Sequence, residues 1–307
     1  MTVSAKPYYD FAIIGAGAVG GLLASLLSHQ QQKVCFVDSR LKHNQDLTLQ
    51  LDSLEYGVIT NNLKVFCSLP SCRWLLLCVK AHQVKLALSA LELPDNCKLM
   101  LVVNGMGADH EIIDKLAPQQ LYLASNTHGA LIQEKTNTQL QLKHTGLGQL
   151  VVGPYLKNAT KPQDLMALEQ ALPSASWQDN IYPALWRKLA INCCINPLTA
   201  LQQCRNGELL DTRFNKDIAA LCQEVSQVAA VEQLDLSADD LHKTVLQVAK
   251  ATANNFSSMQ QDIHHKRLSE IDYINGYIVK QAAKHQLACP HNQYMLQQIQ
   301  RLEKHND

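Results

Sequence analysis

Lys188, Asn192 and Asn196 interrupt the otherwise apolar run "LWRKLAINCCINPLTALQQCRNG" at residues 185–207. A step of four keeps side chains on nearly one face of an α-helix, drifting by roughly 40° each time. Burying an ammonium and two amides costs several kcal/mol unless they are satisfied. The stripe therefore meets a polar partner within the protein or faces a polar small molecule. Core lysines are rare unless paired, which makes Lys188 the most informative of the three. Its ammonium has the chemistry to stabilise negative charge growing on a carbonyl oxygen and to deliver a proton there. Amides would orient a hydroxyl or carboxylate without cancelling that charge. Pro197 disfavours the helical conformation of Asn196 and predicts a kink that turns Asn196 toward a ligand. Two later stretches, "NNFSSMQQD" (254–262) and "SEIDYING" (269–276), contribute Ser258 and Glu270. By spacing alone both read as surface or capping residues, with Glu270 a candidate partner for the lysine charge.

A second group of residues has the pattern of a nucleotide seat. "GAGAVG" (15–20) fits G-x-G-x-x-G between a strand-like and a helix-like segment. In that reading Gly15 makes the tight turn, Gly17 lets a pyrophosphate approach the backbone, and Gly20 allows close helix–strand packing. The phosphate charge would meet the helix N-terminus. The hexapeptide alone is a weak signal, but Asp38 follows at the end of the second strand, eighteen residues after Gly20, as a βαβ nucleotide unit requires. "CVKAHQV" (78–84) and "VVNGMG" (102–107) put Lys80 and Asn104 after buried strands, on the edge where open α/β sheets bind ligands. Either alone is as readily a helix-capping residue. "THGA" (127–130) adds weaker backbone contacts on that edge.

The elements that must position these groups follow from periodicity. "YYDFAIIG", "KVCFVD" (33–38), "WLLLCVK" (74–80) and "KLMLVVNG" (98–105) read as strands, the last two buried on both faces. "AVGGLLASLLSHQ" and "QVKLALSALEL" read as helices between them, which predicts a parallel sheet with crossover helices. "LYLASNTHGALI" and "QLQLKHTGLGQLVVG" continue the strands, some of them antiparallel. Beyond about residue 160 the spacing becomes helical, with Ser237 capping a helix whose first turn carries Asp239 and Asp240. The expected fold class is α/β, a Rossmann-type dinucleotide-binding domain over 1–176 followed by an all-helical substrate domain over 177–307.

Composition bounds the function. The chain has 307 residues, with 27 basic against 27 acidic side chains. That balance gives no electrostatic case for nucleic acid or an anionic membrane. The run "HHKR" (264–267) reads as a solvated surface. No apolar segment approaches the roughly 20 residues of a transmembrane helix, and the N-terminus lacks a signal-peptide layout. Ten cysteines without a CxxC pair, several in apolar runs, suit free thiols in a reduced, cytoplasmic protein. No His/Cys/Asp cluster has metal-ligand spacing, so no metal is expected. Oligomeric state is not legible.

Taken together, "GAGAVG", "VKAHQV", "NGMG", "LWRKLAINCCINPLTAL", "NGEL" (206–209), "NFSSMQQDI" and "EIDYINGY" make the chain resemble the ketopantoate reductase (2-dehydropantoate 2-reductase) family over nearly its whole length. The resemblance implies a 6-phosphogluconate-dehydrogenase-like architecture that reduces 2-dehydropantoate with NADPH, in pantothenate and coenzyme A biosynthesis. It implies Lys188 as the general acid and Glu270 as an acidic residue near the reacting centre that contacts the cofactor. It further implies substrate contacts from Asn104, Lys188, Asn192, Asn196, Asn206 and the segment Asn255, Phe256, Ser257 and Ser258. Cofactor contacts would come from Gly15, Ala16, Gly17, Ala18, Val19, Gly20, Lys80, Asn104 and Ala130. Burial in a cleft should lower the lysine pKa and a nearby carboxylate should raise it. Two other readings stay open: a related 2-oxo or 3-hydroxy acid dehydrogenase, and a non-catalytic dinucleotide sensor, although a sensor needs none of the lysine set.

At one point motif and family diverge. An acidic residue ending strand two favours the ribose 2′-hydroxyl of NAD, and an arginine nearby accommodates a 2′-phosphate. Here Asp38 ends the strand and Arg40 follows two residues later, free to reach a phosphate. The expectation is a preference for NADPH narrower than that of relatives with an arginine at the strand end.

Overall fold

The computed structural model describes residues 8–89, 91–157, 159–172 and 174–304. In chain order the elements are β1 (Tyr8–Ile14), α1 (Ala18–His29), β2 (Val34–Val37), β3 (Gln45–Ser53), β4 (Gly57–Phe66), β5 (Ser71–Leu77) and α2 (Val84–Ser89). Then follow β6 (Lys98–Leu101), β7 (Leu121–Asn126), β8 (Gly129–Lys135), β9 (Gln139–Gly146), β10 (Leu150–Pro154), α3 (Leu165–Ala171) and β11 (Ala175–Trp177). The helices α4 (Tyr182–Gln202), α5 (Asn215–Val231), α6 (Ala238–Ala251), α7 (Ser258–His264), α8 (Asn275–Lys284) and α9 (Pro290–Lys304) complete the chain.

Two compact units divide these elements. The first comprises residues 1–79, 83–103 and 109–181; the second comprises 182–307 with two short segments, Lys80–His82 and Asn104–Ala108. The first unit is an α/β fold on one eleven-stranded sheet of order β11-β10-β7-β6-β5-β1-β2-β4-β3-β9-β8. Its middle is parallel: β1 pairs with β2 and β5, β5 with β6, and β6 with β7. Trp74, Leu75, Leu76 and Leu77 of β5 are all fully buried, so the continuous apolar run does reflect a strand covered on both faces.

Several elements escape sequence reading. The antiparallel pair β3/β4 carries mixed Gln, Thr, Asn and Lys along its exposed face, and its buried residues are Leu47, Leu49, Leu51, Ser53, Ile59, Leu63 and Val65. "LYLASNTHGALI" is not one strand but two, β7 and the start of β8, which pair with different partners. The helix expected over 83–93 is only Val84–Ser89, and residue 90 lies outside the described residues, as do 1–7 ahead of β1. The short β11 continues the strands past residue 160, through Trp177.

The second unit is helical, with its own core of residues from α4, α5, α6, α8 and α9. α4 runs from Tyr182 to Gln202 through Pro197, so Asn196 is helical despite the proline that follows it. Proline removes the donor to the carbonyl four residues back, which is that of Cys193. Asn275, itself fully buried, donates its Nδ2 to the Cys193 carbonyl at 3.0 Å in place of that lost bond. The same Nδ2 reaches Asn292 Oδ1 at 2.9 Å, and Asn292 Nδ2 in turn donates to Glu224 Oε2 at 2.8 Å. Glu224 also accepts from the backbone N–H of His291 and Asn292, satisfying the start of α9 with a buried carboxylate. Ser237 caps α6 as expected, accepting from the Asp240 N–H.

Candidate active site

In the first unit, the chain leaves β1 at Ile14 and turns at Gly15, whose φ of +105° a side chain would rarely tolerate. A Cβ there would also lie 2.6 Å from the Cys78 carbonyl oxygen, and a Cβ on Gly20 only 2.1 Å from the Gly15 carbonyl oxygen. The backbone of loop and helix thus touch where both lack side chains. Gly17 is different: a Cβ there meets nothing within 4 Å, so the loop is open on that side. No side chain caps α1, and no acidic residue sits in its first turn. The leading N–H groups of Ala18, Val19 and Gly20 precede the first helical bond, from Gly21 N–H to the Gly17 carbonyl. An open, uncapped and acid-free helix start fits the pyrophosphate of a dinucleotide.

At the end of β2, Arg40 does not extend freely. Its Nε donates to Asp38 Oδ1 at 2.8 Å and its Nη2 to Asp38 Oδ2 at 2.7 Å, while its backbone N–H closes on Oδ1 at 3.1 Å. The two-residue step that seemed to free the arginine instead lets a short Asx turn fold it back onto the carboxylate. The pairing holds Asp38 below its ordinary carboxylate value. Ala130, near the start of β8, is half-buried against the sheet core.

The second unit gathers a chain of polar groups. Lys188 Nζ donates to Asn104 Oδ1 at 2.7 Å, and Asn104 Nδ2 donates to Glu270 Oε2 at 3.4 Å. Glu270 is buried and accepts the Ala81 N–H at 3.0 Å on its other oxygen. Lys80 Nζ lies 3.5 Å from Glu270 Oε2 and hydrogen-bonds Asp262 Oδ2. Gly105, with φ of +80°, brings this segment against the Tyr273 carbonyl, which accepts the Met106 N–H at 2.8 Å. Glu270 therefore pairs directly with Lys80 and reaches Lys188 only through the amide of Asn104.

Burial sets the electrostatics. Burial lowers the Lys188 pKa to about 8, against the raising pull of Glu270. For Lys80 burial also works against the charged form, but Glu270 and Asp262 outweigh it and hold the ammonium above its ordinary value. Burial raises Asp262 although Lys80 pulls it down. Asp262 is the member sequence reasoning missed. It stands four residues after Ser258 in "NFSSMQQDI", one helical turn further along α7, and that spacing was the available signal. Arg267 also turns back to Asp262, with Nε 3.4 Å from Oδ1, so "HHKR" is not wholly a solvated run.

Other expected residues lie around the same helices. Asn192 is half-buried and Asn196 is buried on α4. Three residues beyond Asn196, Thr199 donates to Ser257 Oγ at 2.7 Å, and Ser257 caps α7 by accepting from the Gln260 N–H. Ser258 and Phe256 are exposed, the ring of Phe256 stacked under the Arg205 guanidinium at 4.8 Å. Asn206 is anchored to this segment by its N–H to the Asn255 carbonyl and by Nδ2 to Thr252 Oγ1 at 2.9 Å. Its buried Oδ1 has no partner among the described residues. Among the described residues no group of three His, Cys, Asp or Glu could hold a metal ion. Among them, too, no helix is long and apolar enough to cross a membrane.

A Rossmann-type nucleotide seat in one unit, with a half-buried lysine of lowered pKa in a helical unit, defines a dinucleotide-dependent oxidoreductase. The chain belongs to the ketopantoate reductase family: the family described as "Ketopantoate reductase PanE/ApbA" matches residues 11–157, and its C-terminal counterpart matches 180–303. A 2-dehydropantoate 2-reductase of Vibrio cholerae is 40% identical over 300 residues, spanning 96% of this chain and 98% of that one. The 2-dehydropantoate 2-reductase of Yersinia pestis is 35% identical, spanning 95% of this chain and 94% of its own. A solved probable 2-dehydropantoate 2-reductase from Bacillus subtilis superposes with a TM-score of 0.77 at 28% identity, covering 95% of this chain and 99% of that one.

Proposed function

We propose that the protein reduces 2-dehydropantoate to pantoate with NADPH, serving pantothenate and coenzyme A biosynthesis in the cytoplasm. The observation that carries the reading is Lys188, a half-buried lysine with a pKa lowered to about 8, hydrogen-bonded to Asn104 and tied through it to Glu270. The relatives' activity and the family's motifs at Lys188, Asn192, Asn196, Asn206, Ser258 and Glu270 support it. In this division of labour residues 1–176 bind the dinucleotide and residues 177–307 hold the substrate.

When bound, NADPH supplies the hydride that reaches the keto carbon. The N–H groups of Ala18, Val19 and Gly20 would hold its pyrophosphate, and Ala130, Lys80, Asn104 and Glu270 are the further residues that the family resemblance assigns to it. Lys188 does the acid work. Asn104 occupies one of its three N–H bonds, which fixes the direction of the others. One of those points to the substrate's keto oxygen, stabilises the charge that develops there, and gives up its proton from Nζ to form the C2 hydroxyl. The substrate carries a carboxylate and a hydroxyl. Asn192, Asn196, Asn206 and the 255–258 segment would provide neutral hydrogen bonds for them. Following NADPH oxidation with 2-dehydropantoate beside a panel of other 2-oxo acids tests the reading. Turnover of 2-dehydropantoate at a kcat/KM above the rest is the expected result. A clear preference for another oxo acid, or no turnover of any, would refute it.

A further inference from the structure

Lys135 closes β8, and its Nζ donates to the Ala16 carbonyl at 2.5 Å. An ammonium carried by the β8/β9 hairpin thus sits on the glycine loop itself. The hairpin is anchored to the nucleotide helix by Leu140 and Leu142 of β9, whose methyl groups pack where Gly21 of α1 lacks a Cβ. Lys135 is exposed and within electrostatic range of both Asp38 and Arg40. Three charges therefore share the end of β2: two cations and one carboxylate. That carboxylate is already committed. Asp38 Oδ1 accepts twice and Oδ2 once from Arg40, which leaves it a poor acceptor for a ribose 2′-hydroxyl.

The surplus positive charge is costly as it stands. Partial desolvation by the glycine loop and the neighbouring Arg40 charge hold the Lys135 pKa below its ordinary value, and Asp38 offsets them only in part. The Arg40 side chain is 88% exposed even while paired, so its guanidinium is open to a further anion. A phosphate monoester of about two negative charges would satisfy both cations with charge-assisted hydrogen bonds.

We propose that Lys135 is a specificity-determining residue for the cofactor, forming with Arg40 the seat of the ribose 2′-phosphate that separates NADPH from NADH. The proposal rests on the reading that NADPH occupies the glycine loop. In it Asp38 acts as the brace that aims Arg40, which removes the conflict between an acidic strand end and a 2′-phosphate. No local pattern announces Lys135, because it lies 119 residues from the carbonyl it meets.

Equilibrium titration by protein fluorescence, with no substrate present, tests this. The ligands are NADPH, NADH, 2′,5′-ADP and 5′-AMP, and the proteins are wild type, Lys135→Met and Lys135→Arg. Lys135→Met should weaken NADPH and 2′,5′-ADP by at least about tenfold and leave NADH and 5′-AMP within about threefold. Retained NADH binding reports that the variant is folded, and Lys135→Arg should restore most of the discrimination. Equal weakening of all four ligands would overturn the proposal, because it would reduce Lys135 to a prop for the loop at Ala16. Unchanged NADPH binding would overturn it as well. A wild-type protein that prefers NADH sinks the proposal while leaving a dinucleotide enzyme; one that binds neither dinucleotide sinks the underlying reading.

Discussion

Replacing Glu270 by Gln isolates the charge that sets the working pH of Lys188. The Nζ of Lys188 and the Glu270 carboxylate are separated by the Asn104 amide, with hydrogen bonds of 2.7 and 3.4 Å on either side. That geometry puts the charges about 6.5 Å apart, where an effective dielectric of about 20 gives roughly 2.5 kcal/mol, or about two pK units. Lys80 and Asp262 remain in the variant and nearly neutralise each other, so the change is that of Glu270 alone. Lys188, at about 8 in the native protein, should fall by about one to two units. A general acid must be protonated, so kcat is flat below the lysine pKa and declines above it. In Glu270→Gln that declining limb should begin near pH 6 to 7 instead of about 8. At about pH 7 kcat would drop roughly two- to tenfold, recovering by about pH 5.5. The assay is kcat against pH with both NADPH and 2-dehydropantoate saturating, which removes any effect of Glu270 on binding. A limb that stays near 8, or a loss of the same size at every pH, would refute the coupling.

Lys188→Ala should lower kcat by at least about 10²-fold while NADPH binding by fluorescence survives; an unchanged kcat in the folded variant would remove the lysine from the chemistry. Asn192→Ala and Ser258→Ala should chiefly raise KM, because these groups hold substrate in ground and transition states alike; loss of cofactor binding in either would break the assigned division of labour. Glu224→Gln should destabilise the fold by about 2–3 kcal/mol in urea unfolding near pH 7, because the start of α9 loses its charged acceptor. Burial alone would raise the Glu224 pKa, but the N–H groups of Asn292 and His291 bring it below its ordinary 4.5. Its contribution is thus complete above that value and lost as pH falls through the lowered one. The gap between native and variant should narrow as pH falls through that lowered value, and a gap that stays constant from neutral pH down the whole acid limb would show the charge to be irrelevant.

The sequence reveals what depends on neighbours along the chain. The buried parallel strands, the glycine turn, the α6 cap and the polar stripe of α4 all follow from local spacing. The β3/β4 pair is hidden because its exposed face is polar and its buried face supplies alternate leucines, an isoleucine and a valine, with Ser53 at its end. Pro197 misleads for a different reason. Its local effect is real, but Asn275, about eighty residues away, answers the orphaned carbonyl and the helix continues. In the same way Arg40 reads as free until its own carboxylate neighbour is given a geometry. Asp262 and Lys135 act through contacts 182 and 119 residues distant, which no windowed pattern contains.

The arrangement of the polar chain explains why Glu270 is better placed one amide away from Lys188 than against it. Two lysines share this carboxylate, and burial works against the charged form of both. Lys80 touches Glu270 and Asp262 directly, and its pKa ends above the ordinary value. Lys188 donates to the Asn104 oxygen and ends at about 8. A direct carboxylate partner would have held its proton too tightly for transfer. No carboxylate nearby would have let burial drive the lysine toward neutrality. Interposing an amide transmits part of the field and leaves the proton available. General acids work best with a pKa near the operating pH, and the same residue that transmits the field also fixes the lysine's direction. Asn104→Asp would abolish that separation by placing a carboxylate on Nζ. It should raise the Lys188 pKa and slow proton transfer even though the charge on Lys188 is better stabilised.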